Sequence, residues 1–293
     1  MVSQIQIEGY RLSPQQLHLW LLQQQNSDAY RSQCIVRLEG ELNVDALRAA
    51  LQRVVQRHDI LRTSFMRTPG IKFPVQVISA ETRPAPIELT FEERSLSESD
   101  IEQLVDEAKP PAAKSEIDPV IRASVYSVAT RTHFLVLSVP ALYADSRSLV
   151  NLVREIANSY TESSSGSEVV QYLQFSEWQN EIINDEEAEV GKSYWRKQAD
   201  VLLYPPPALP FQSISAGAFS PRTVASEIRP ETVARLDDLA EKFDTTTAIV
   251  LQACWQTLLW RLTGQANIVT GSVHDGRKYE ELSHSLGLLA RTL

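Results

Sequence analysis

The stretch that decides the fold is FLVLSVPALYADSRSLVNLVREIANSY, which runs from Phe134 to Tyr160. Its opening part, Phe134 to Val139, is apolar except for one serine, which is typical of a strand at the centre of a sheet. From Ser146 onward, apolar residues recur at every third or fourth position, which predicts a helix with one buried face. The loop Pro140 to Asp145 therefore joins a buried strand to the start of a helix, a place where proteins often carry out chemistry.

The residues before this stretch predict the other parts of the same layer. Val120 to Ala129 and the strand of the opening stretch flank a polar turn at residues 130–132, which indicates an antiparallel hairpin. The alternation from Cys34 to Leu38 predicts another strand, and the apolar spacing after Asn43 predicts a helix that packs on the sheet. Ser13 and Gln16 form a capping box around Pro14, so a helix is expected to begin there.

Further strands and helices follow from the same rules. A meander or hairpin set is expected from three strand-like stretches, around 61–66, 75–78 and 87–91. Proline and glycine between Tyr204 and Pro221 predict a linker. Beyond it we expect strands at Val224 to Ile228 and Ile268 to Val273, with a helix from Thr246 to Thr263. That helix is apolar around most of its circumference, so it is expected inside a core. The expected domains are residues 1–199 and 223–293, with the linker at 200–222.

The composition excludes several classes of protein. With 43% hydrophobic and 22% charged residues, the chain is in the range of ordinary globular proteins. A formal charge of -9 makes nucleic acid an unsuitable partner, because such binding depends on clustered Lys and Arg. Neither a membrane span nor a secretory leader is evident, so a cytoplasmic location is expected. Cys34 and Cys254 lack metal-ligand spacing and are expected to be buried structural thiols, and no metal site is predicted.

Four segments resemble signatures of one known family. LSPQQLHLW from Leu12 to Trp20 and RHDILRTSF from Arg57 to Phe65 are similar to the first two signatures of the condensation domains of nonribosomal peptide synthetases. The spacing of Tyr172, Phe175 and Trp178 matches the fourth. The segment from Gly271 to Leu293, which contains Gly276-Arg277 and Leu286-Gly287, resembles the fifth.

The resemblance implies a fold and a reaction. The fold is α/β, an α+β two-layer sandwich like that of chloramphenicol acetyltransferase, in which two lobes form a V. Since two later signatures are missing, the second lobe is expected to be incomplete. Family members join a donor thioester to an acceptor amine, and phosphopantetheine arms of carrier proteins bring both groups into a tunnel. No cofactor is expected to bind this chain directly.

The family's His-His-x-x-x-Asp-Gly loop is altered in this sequence. Pro140 and Ala141 occupy the histidine positions, and Ser146 the glycine position. Neither Pro nor Ala has a side chain that can accept a proton or donate a hydrogen bond. Only Asp145 is kept, and the resemblance implies a structural ion pair with Arg277 that ties the loop to the second lobe. The same aspartate can also cap the following helix.

The remaining candidates for catalytic groups are two hydroxyl side chains close to this loop and the five histidines of the chain. Tyr143 and Ser148 are positioned to line the tunnel, although a phenol is a poor base at neutral pH. His133 lies about 20 Å from Pro140 along the strand, which is out of reach. We expect structural or surface positions for the other four, His18, His58, His274 and His284. No catalytic residue is therefore predicted.

Three functions follow as alternatives. The first is a condensation-like domain that no longer uses the histidine-dependent route and instead docks a carrier protein or recruits a tailoring enzyme. The second is an active condensation domain that relies on positioning of two tethered substrates. The third is an inactive lobe retained as a structural spacer.

Overall fold

A computed structural model of the chain describes residues 9–24, 30–78, 87–94, 104, 120–163, 168–199, 207–211, 224 and 226–293. Two compact units are present. Unit 1 contains Met1–Asp185 and Val273–Thr292, and unit 2 contains Glu186–Ser272 and Leu293.

The secondary structure of the described residues is mixed. The helices are α1 (Pro14–Gln23), α2 (Val44–Arg57), α3 (Ser146–Tyr160), α4 (Tyr172–Asn184), α5 (Ala188–Lys197), α6 (Pro230–Lys242) and α7 (Thr247–Thr263). The strands are β1 (Tyr10–Arg11), β2 (Arg31–Glu39), β3 (Thr63–Met66), β4 (Val75–Ile78), β5 (Ile87–Glu93), β6 (Ile121–Ala129), β7 (Thr132–Pro140), β8 (Val273–His274) and β9 (Arg291–Thr292). Two 3₁₀ turns are formed by Asp59–Arg62 and Glu280–Leu282. This is the α/β class that the sequence predicts.

The main sheet of unit 1 has the strand order β2-β7-β6-β5. Its hairpin of β6 and β7 is antiparallel, with Val125 opposite Leu135, which confirms the predicted hairpin. β2 pairs with the other edge of β7, also antiparallel, so β7 is central as expected. Six side chains of β7 are buried, among them Leu137 and Val139, which reflects the position of this strand between two neighbours.

The expected meander or hairpin set is present only for the first two of its three strands, β3 and β4, which pair antiparallel with Thr63 opposite Ile78. β5 pairs in parallel with β6, placing Ile87 opposite Ile121, while β3 and β4 belong to a separate sheet of order β1-β4-β3. A parallel pair needs a long connection between its strands. The pattern of apolar residues within a stretch indicates that it forms a strand, but not which other strand it pairs with. The parallel pairing of β5 with β6 therefore could not be predicted from the sequence.

The core of unit 1 lies between the main sheet and helices α2 and α3. α2 buries the apolar stripe that its sequence predicts: Leu47, Ala50, Leu51, Val54 and Val55. α3 contributes Leu149, Leu152 and Ile156 to the same cluster. Removing these side chains from water supplies the main driving force for this layer, roughly 1.5–3 kcal/mol for each large aliphatic residue.

The first helix begins as expected. Ser13 Oγ accepts a hydrogen bond from the Gln16 backbone N–H, and the Gln16 side chain accepts one from the Ser13 N–H, so the predicted capping box is present. Pro14 occupies the first helical position, where its missing N–H costs nothing. Between residues 95 and 119 only Leu104 is described; it is helical and buried.

Three expectations for the later part of the chain are wrong. Val224 and residues 226–229 form no strand, and of the expected strand at 268–273 only Val273 is in one, β8. α7 forms where expected, but it is not enclosed in a core, because Ile249 and Trp255 are each 54% exposed. Apolar residues all round a helix require partners on every side, and the described residues of unit 2 supply few. Most of the expected linker, residues 200–222, lies outside the described residues.

The division into units differs from the predicted boundary at 223. Val273–Thr292 groups with unit 1 instead of with the residues immediately before it. The reason is packing, since Leu282, Leu286 and Leu289 lie in the core cluster of unit 1. Among the described residues, no helix has both the length and the apolar character that crossing a bilayer requires.

The two cysteines differ in exposure. Cys34 is partly buried, and burial raises the pKa of its thiol to about 11, while Cys254 is exposed, contrary to the expected buried position. Because the thiolate is the reactive form, we expect iodoacetamide at pH 8 to alkylate Cys254 at least about tenfold faster than Cys34. Peptide mapping by mass spectrometry after timed labelling measures both rates. Equal alkylation rates for the two thiols would contradict the difference in their exposure. Denatured protein, in which both thiols react, serves as the control.

Candidate functional site: the loop between β7 and α3

Backbone contacts fix the loop Pro140 to Asp145. The Ala141 N–H donates to the Tyr30 carbonyl oxygen at 3.0 Å. The Gln16 side-chain amide, itself positioned by the capping box of α1, donates to the Leu142 carbonyl oxygen at 3.2 Å. The loop therefore has a defined shape, although Pro140 and Ala141 lack a polar side chain.

Asp145 is the polar centre of the site and lies 6% exposed. Its carboxylate accepts five hydrogen bonds: from the backbone N–H groups of Ser148, Leu289 and Ala290 and from both terminal nitrogens of Arg277. The Ser148 contact makes Asp145 the N-cap of α3. The cap and the ion pair that the sequence analysis considered thus occur together, and the bonds to Leu289 and Ala290 were not foreseen.

This geometry assigns a structural role to Asp145. The two Arg277 contacts are each 3.0 Å long, and the side chain of Arg277 is 2% exposed. Two parallel N–H···O bonds of this kind hold a carboxylate in one orientation. A carboxylate that is already saturated with donors has no free lone pair directed at a substrate, so Asp145 is not available as a general base.

Ser148 is also committed to structure. Its hydroxyl donates to the Gly287 carbonyl oxygen at 2.7 Å and accepts from the Gly287 N–H at 3.0 Å. Arg277 donates to the same hydroxyl at 2.7 Å. Since Ser148 is fully buried, its hydroxyl cannot act on a tunnel substrate as the sequence had allowed.

A second buried contact connects α1, α4 and the chain around Gly287. Tyr172 Oη lies 2.7 Å from Ser13 Oγ and donates to the Leu288 carbonyl oxygen at 2.9 Å. Gly287 has φ +148, and a Cβ there would lie 1.9 Å from the Tyr172 ring. Sequence reasoning placed both residues in family signatures but did not predict their contact. Motif matching gives positions along the chain and leaves the contacts between motifs open.

The remaining loop side chains offer no base. Tyr143 packs edge-on against Phe65 at 5.1 Å between ring centroids, and burial raises the pKa of its phenol far above neutrality. Ser146 is exposed at the first turn of α3. Pro140 and Ala141 are half-buried and carry no titratable group. Nothing on the loop can take a proton from an amine near pH 7.

The histidine of the second signature is structural. His58 is 1% exposed, and its Nε2 lies 3.1 Å from Glu155 of α3. Burial alone raises the pKa of the Glu155 carboxyl, but the hydrogen bond and charge of His58, with the charge of Arg57, lower it below its usual value. The pair connects the end of α2 to α3.

The other four histidines also lie outside the loop. His133 is at the opposite end of β7, where its Nδ1 is 2.9 Å from Ser127 Oγ. His18 is exposed on α1, two residues and hence about 200° around the helix from the loop contact Gln16. His274 and His284 are exposed. The described residues contain no group of three or more His, Cys, Asp or Glu that could hold a metal ion.

The comparison with family models decides the classification. The model for the condensation domain matches residues 6–293. The chain belongs to the condensation domain family. The resemblance to condensation domains drawn from the signatures of the sequence is thereby confirmed.

Curated relatives and solved structures match nearly the whole chain. Bacitracin synthase 3 from Bacillus licheniformis is 30% identical over 290 residues, which make up 98% of this chain and 4% of that protein. The SgcC5 protein from Streptomyces globisporus is 24% identical with a TM-score of 0.78, over 96% of this chain and 67% of that one. The X-domain of teicoplanin biosynthesis, solved in complex with OxyB, is 23% identical with a TM-score of 0.75, over 97% and 64% of the two chains. The likeness to the two structures confirms the expected chloramphenicol acetyltransferase-like fold.

Proposed function

We propose that this condensation domain does not form amide bonds by the usual histidine-dependent route and that it docks a partner protein, either a carrier protein or a tailoring enzyme. The observation that carries the proposal is the side-chain content of the loop between β7 and α3. Pro140 and Ala141 stand where the family has its histidine pair. General acid–base assistance contributes about 10²- to 10⁴-fold to a rate, so its loss removes most of the usual advantage.

The polar groups near Pro140 and Ala141 are not available as bases, which supports the proposal. Asp145 and Ser148 use their hydrogen-bonding capacity within the protein, and the raised pKa of Tyr143 keeps its phenol protonated. A replacement base would have to come from a histidine, and His58 is committed to Glu155. The four remaining histidines are exposed or lie at the far end of β7.

The structure of the loop is retained, which favours a docking role over a general loss of function of the domain. The five hydrogen bonds of Asp145 maintain the loop without supplying chemistry. A domain with the same fold, the X-domain of teicoplanin biosynthesis, has been solved in complex with OxyB, so the fold can dock another protein. The phosphopantetheine arm in this scheme belongs to the partner carrier protein and enters as part of the substrate.

A reconstitution tests the proposal. The full chain is mixed with the donor and acceptor carrier proteins of its own assembly line, charged with acyl and aminoacyl thioesters, and the condensed product is quantified by mass spectrometry. We expect product at the level of the reaction without the chain, together with saturable carrier binding in isothermal titration calorimetry. Ala141→His should leave the dissociation constant unchanged within about twofold, because the proposed docking role does not use a proton-accepting side chain at position 141.

The matched control is Ala141→Trp, which places a bulky ring at the same position. If the unmodified chain forms product more than tenfold above background and Ala141→Trp abolishes it, the domain is an active condensation enzyme that works by positioning its tethered substrates. That outcome overturns the proposal. Absence of both product and binding to a carrier protein or tailoring enzyme would contradict the docking role and leave a structural spacer.

A further inference from the structure

An open cleft of about 520 Å³ lies between helices α2 and α3 in unit 1. We call it the arginine cleft, because both helices place arginine side chains in its walls: Arg53 and Arg57 from α2, and Arg154 from α3. Its volume is in the range of roughly 300–1,000 Å³ that is typical of small-molecule sites. None of residues 140–145 lies in the walls, so the cleft is distinct from the loop between β7 and α3.

The arginine cleft is cationic, although the whole chain carries a formal charge of -9. Its ionisable wall residues are three arginines, one histidine and two glutamates: Arg53, Arg57, Arg154, His284, Glu155 and Glu162. Glu155 already has cationic partners, since His58 Nε2 lies at 3.1 Å and Arg57 Nε at 3.5 Å from its carboxylate. Burial raises the pKa of this carboxyl, but its cationic neighbours, which include His284, lower it below its usual value. The other cations of the cleft are therefore available to an anion.

Two of the arginines have only neutral partners among the described residues. Arg53 donates from Nε to Ser159 Oγ at 2.8 Å and from Nη2 to the Ser159 carbonyl oxygen at 2.6 Å. Arg154 donates from Nη1 to Asn151 Oδ1 at 3.3 Å. These bonds orient both guanidinium groups and leave Arg53 Nη1 and Arg154 Nη2 without partners in the same part of the chain. Both charges are thus uncompensated, and both groups retain N–H donors for a ligand.

The α3 side of the cleft continues with two groups that suit hydroxyls. Asn158 is four residues beyond Arg154, so both lie on the same side of α3, and Glu162 follows the end of the helix. Neither the Asn158 side-chain amide nor the Glu162 carboxylate has a partner among the residues that the structure describes. Amide and carboxylate oxygens accept hydrogen bonds from the hydroxyls of a sugar, whereas a carboxylate repels a simple anion. The cleft therefore combines donors for a phosphate with acceptors for the hydroxyls of the same molecule.

We propose that the arginine cleft binds a sugar phosphate, a phosphomonoester of a neutral sugar. Arg53 and Arg154 bind the phosphate, because the planar arrangement of N–H donors in a guanidinium group matches the oxygens of this anion. Asn158 and Glu162 bind the sugar hydroxyls. A phosphate dianion also compensates the two charges that lack a carboxylate partner. Because Ser159 already orients Arg53, little side-chain entropy is lost on binding.

The test compares glucose 6-phosphate with glucose and with inorganic phosphate on the full chain by isothermal titration calorimetry. We expect saturable binding of glucose 6-phosphate, at least about tenfold tighter than that of either other probe, because only this molecule engages both ends of the cleft. Glucose bound as tightly would mean that the arginines bind no phosphate. Inorganic phosphate bound as tightly would mean that the cleft holds a simple anion only. Either result, or the absence of saturable binding, overturns the proposal.

Three variants locate the site. Arg53→Gln and Arg154→Gln remove a charge at each phosphate contact, and each should weaken glucose 6-phosphate by about tenfold. Asn158→Ala should reduce the preference for glucose 6-phosphate over inorganic phosphate by about threefold, because it removes a hydroxyl contact.

The matched control is Arg48→Gln, which removes an exposed arginine of α2 that lies outside the cleft walls and should leave the affinity unchanged. Circular dichroism verifies that each variant is folded. Since Arg53 also contacts Ser159, the exposed Arg154 provides the test should Arg53→Gln not fold. An unchanged affinity in Arg154→Gln, or an equal loss in Arg48→Gln, would show that the cleft is not the binding site.

Discussion

Arg277→Met is expected to lower the free energy of unfolding of unit 1 by about 3–5 kcal/mol. The guanidinium donates to both carboxylate oxygens of Asp145 and to Ser148 Oγ, and the ion pair is almost fully enclosed. Methionine fills similar volume but leaves a buried carboxylate without its charge partner, which is the costly way to disrupt such a pair. Urea denaturation followed by circular dichroism, with the extrapolated free energy compared between variants, measures the change.

The matched control for this prediction is Arg37→Met. Arg37 also pairs with a carboxylate, that of Glu39, but both side chains are more than half exposed, at 61% and 70%. An exposed pair contributes about 0–1 kcal/mol, so this variant should remain close to the unmodified chain. Similar losses in the two variants would mean that the Asp145–Arg277 pair does not hold the loop.

The second large effect is expected for Gly287→Ala, a loss of about 3 kcal/mol or more in the free energy of unfolding. A Cβ at this position would lie 1.9 Å from Tyr172 Cδ2, so the ring must move, and its hydrogen bonds to Ser13 and Leu288 are disturbed. Overpacking of a buried site typically costs about 1–3 kcal/mol, and the positive φ adds about 1–3 kcal/mol more. The same urea titration measures this loss.

Gly40→Ala separates the two causes. Gly40 has φ +117, also in the region that favours glycine, but a Cβ there would meet nothing within 4 Å. This variant therefore carries the backbone strain without the clash and should lose about 1–3 kcal/mol. If both alanine variants are destabilised equally, the contact between Gly287 and Tyr172 contributes nothing and the argument from close packing is wrong.

Local signals in the sequence were sufficient for several helices and strands. The capping box at Ser13, the apolar stripe of α2 and the hairpin of β6 and β7 are as predicted. Each depends on residues close together in the chain, so periodicity and capping rules detect it. The family was also within reach, because its signatures are short continuous segments.

The candidate site was only partly predictable. The resemblance implied that Pro140 and Ala141 stand at the histidine positions, and that placement stays a prediction. It also suggested Asp145 as a cap and as a partner of Arg277. Two further hydrogen bonds of Asp145 come from the backbone N–H groups of Leu289 and Ala290. Because a backbone N–H donor does not depend on the side chain, residue types in the sequence could not predict these two bonds.

The sequence by itself predicted the family and the position of the strand-loop-helix junction, because both are written in consecutive residues. Only the tertiary structure decided that β5 runs parallel to β6, that Val273–Thr292 packs with unit 1, and that Gly287 lies against Tyr172. These features join residues far apart in the chain, and their energies come from burial and close packing, which local patterns of polar and apolar residues do not specify.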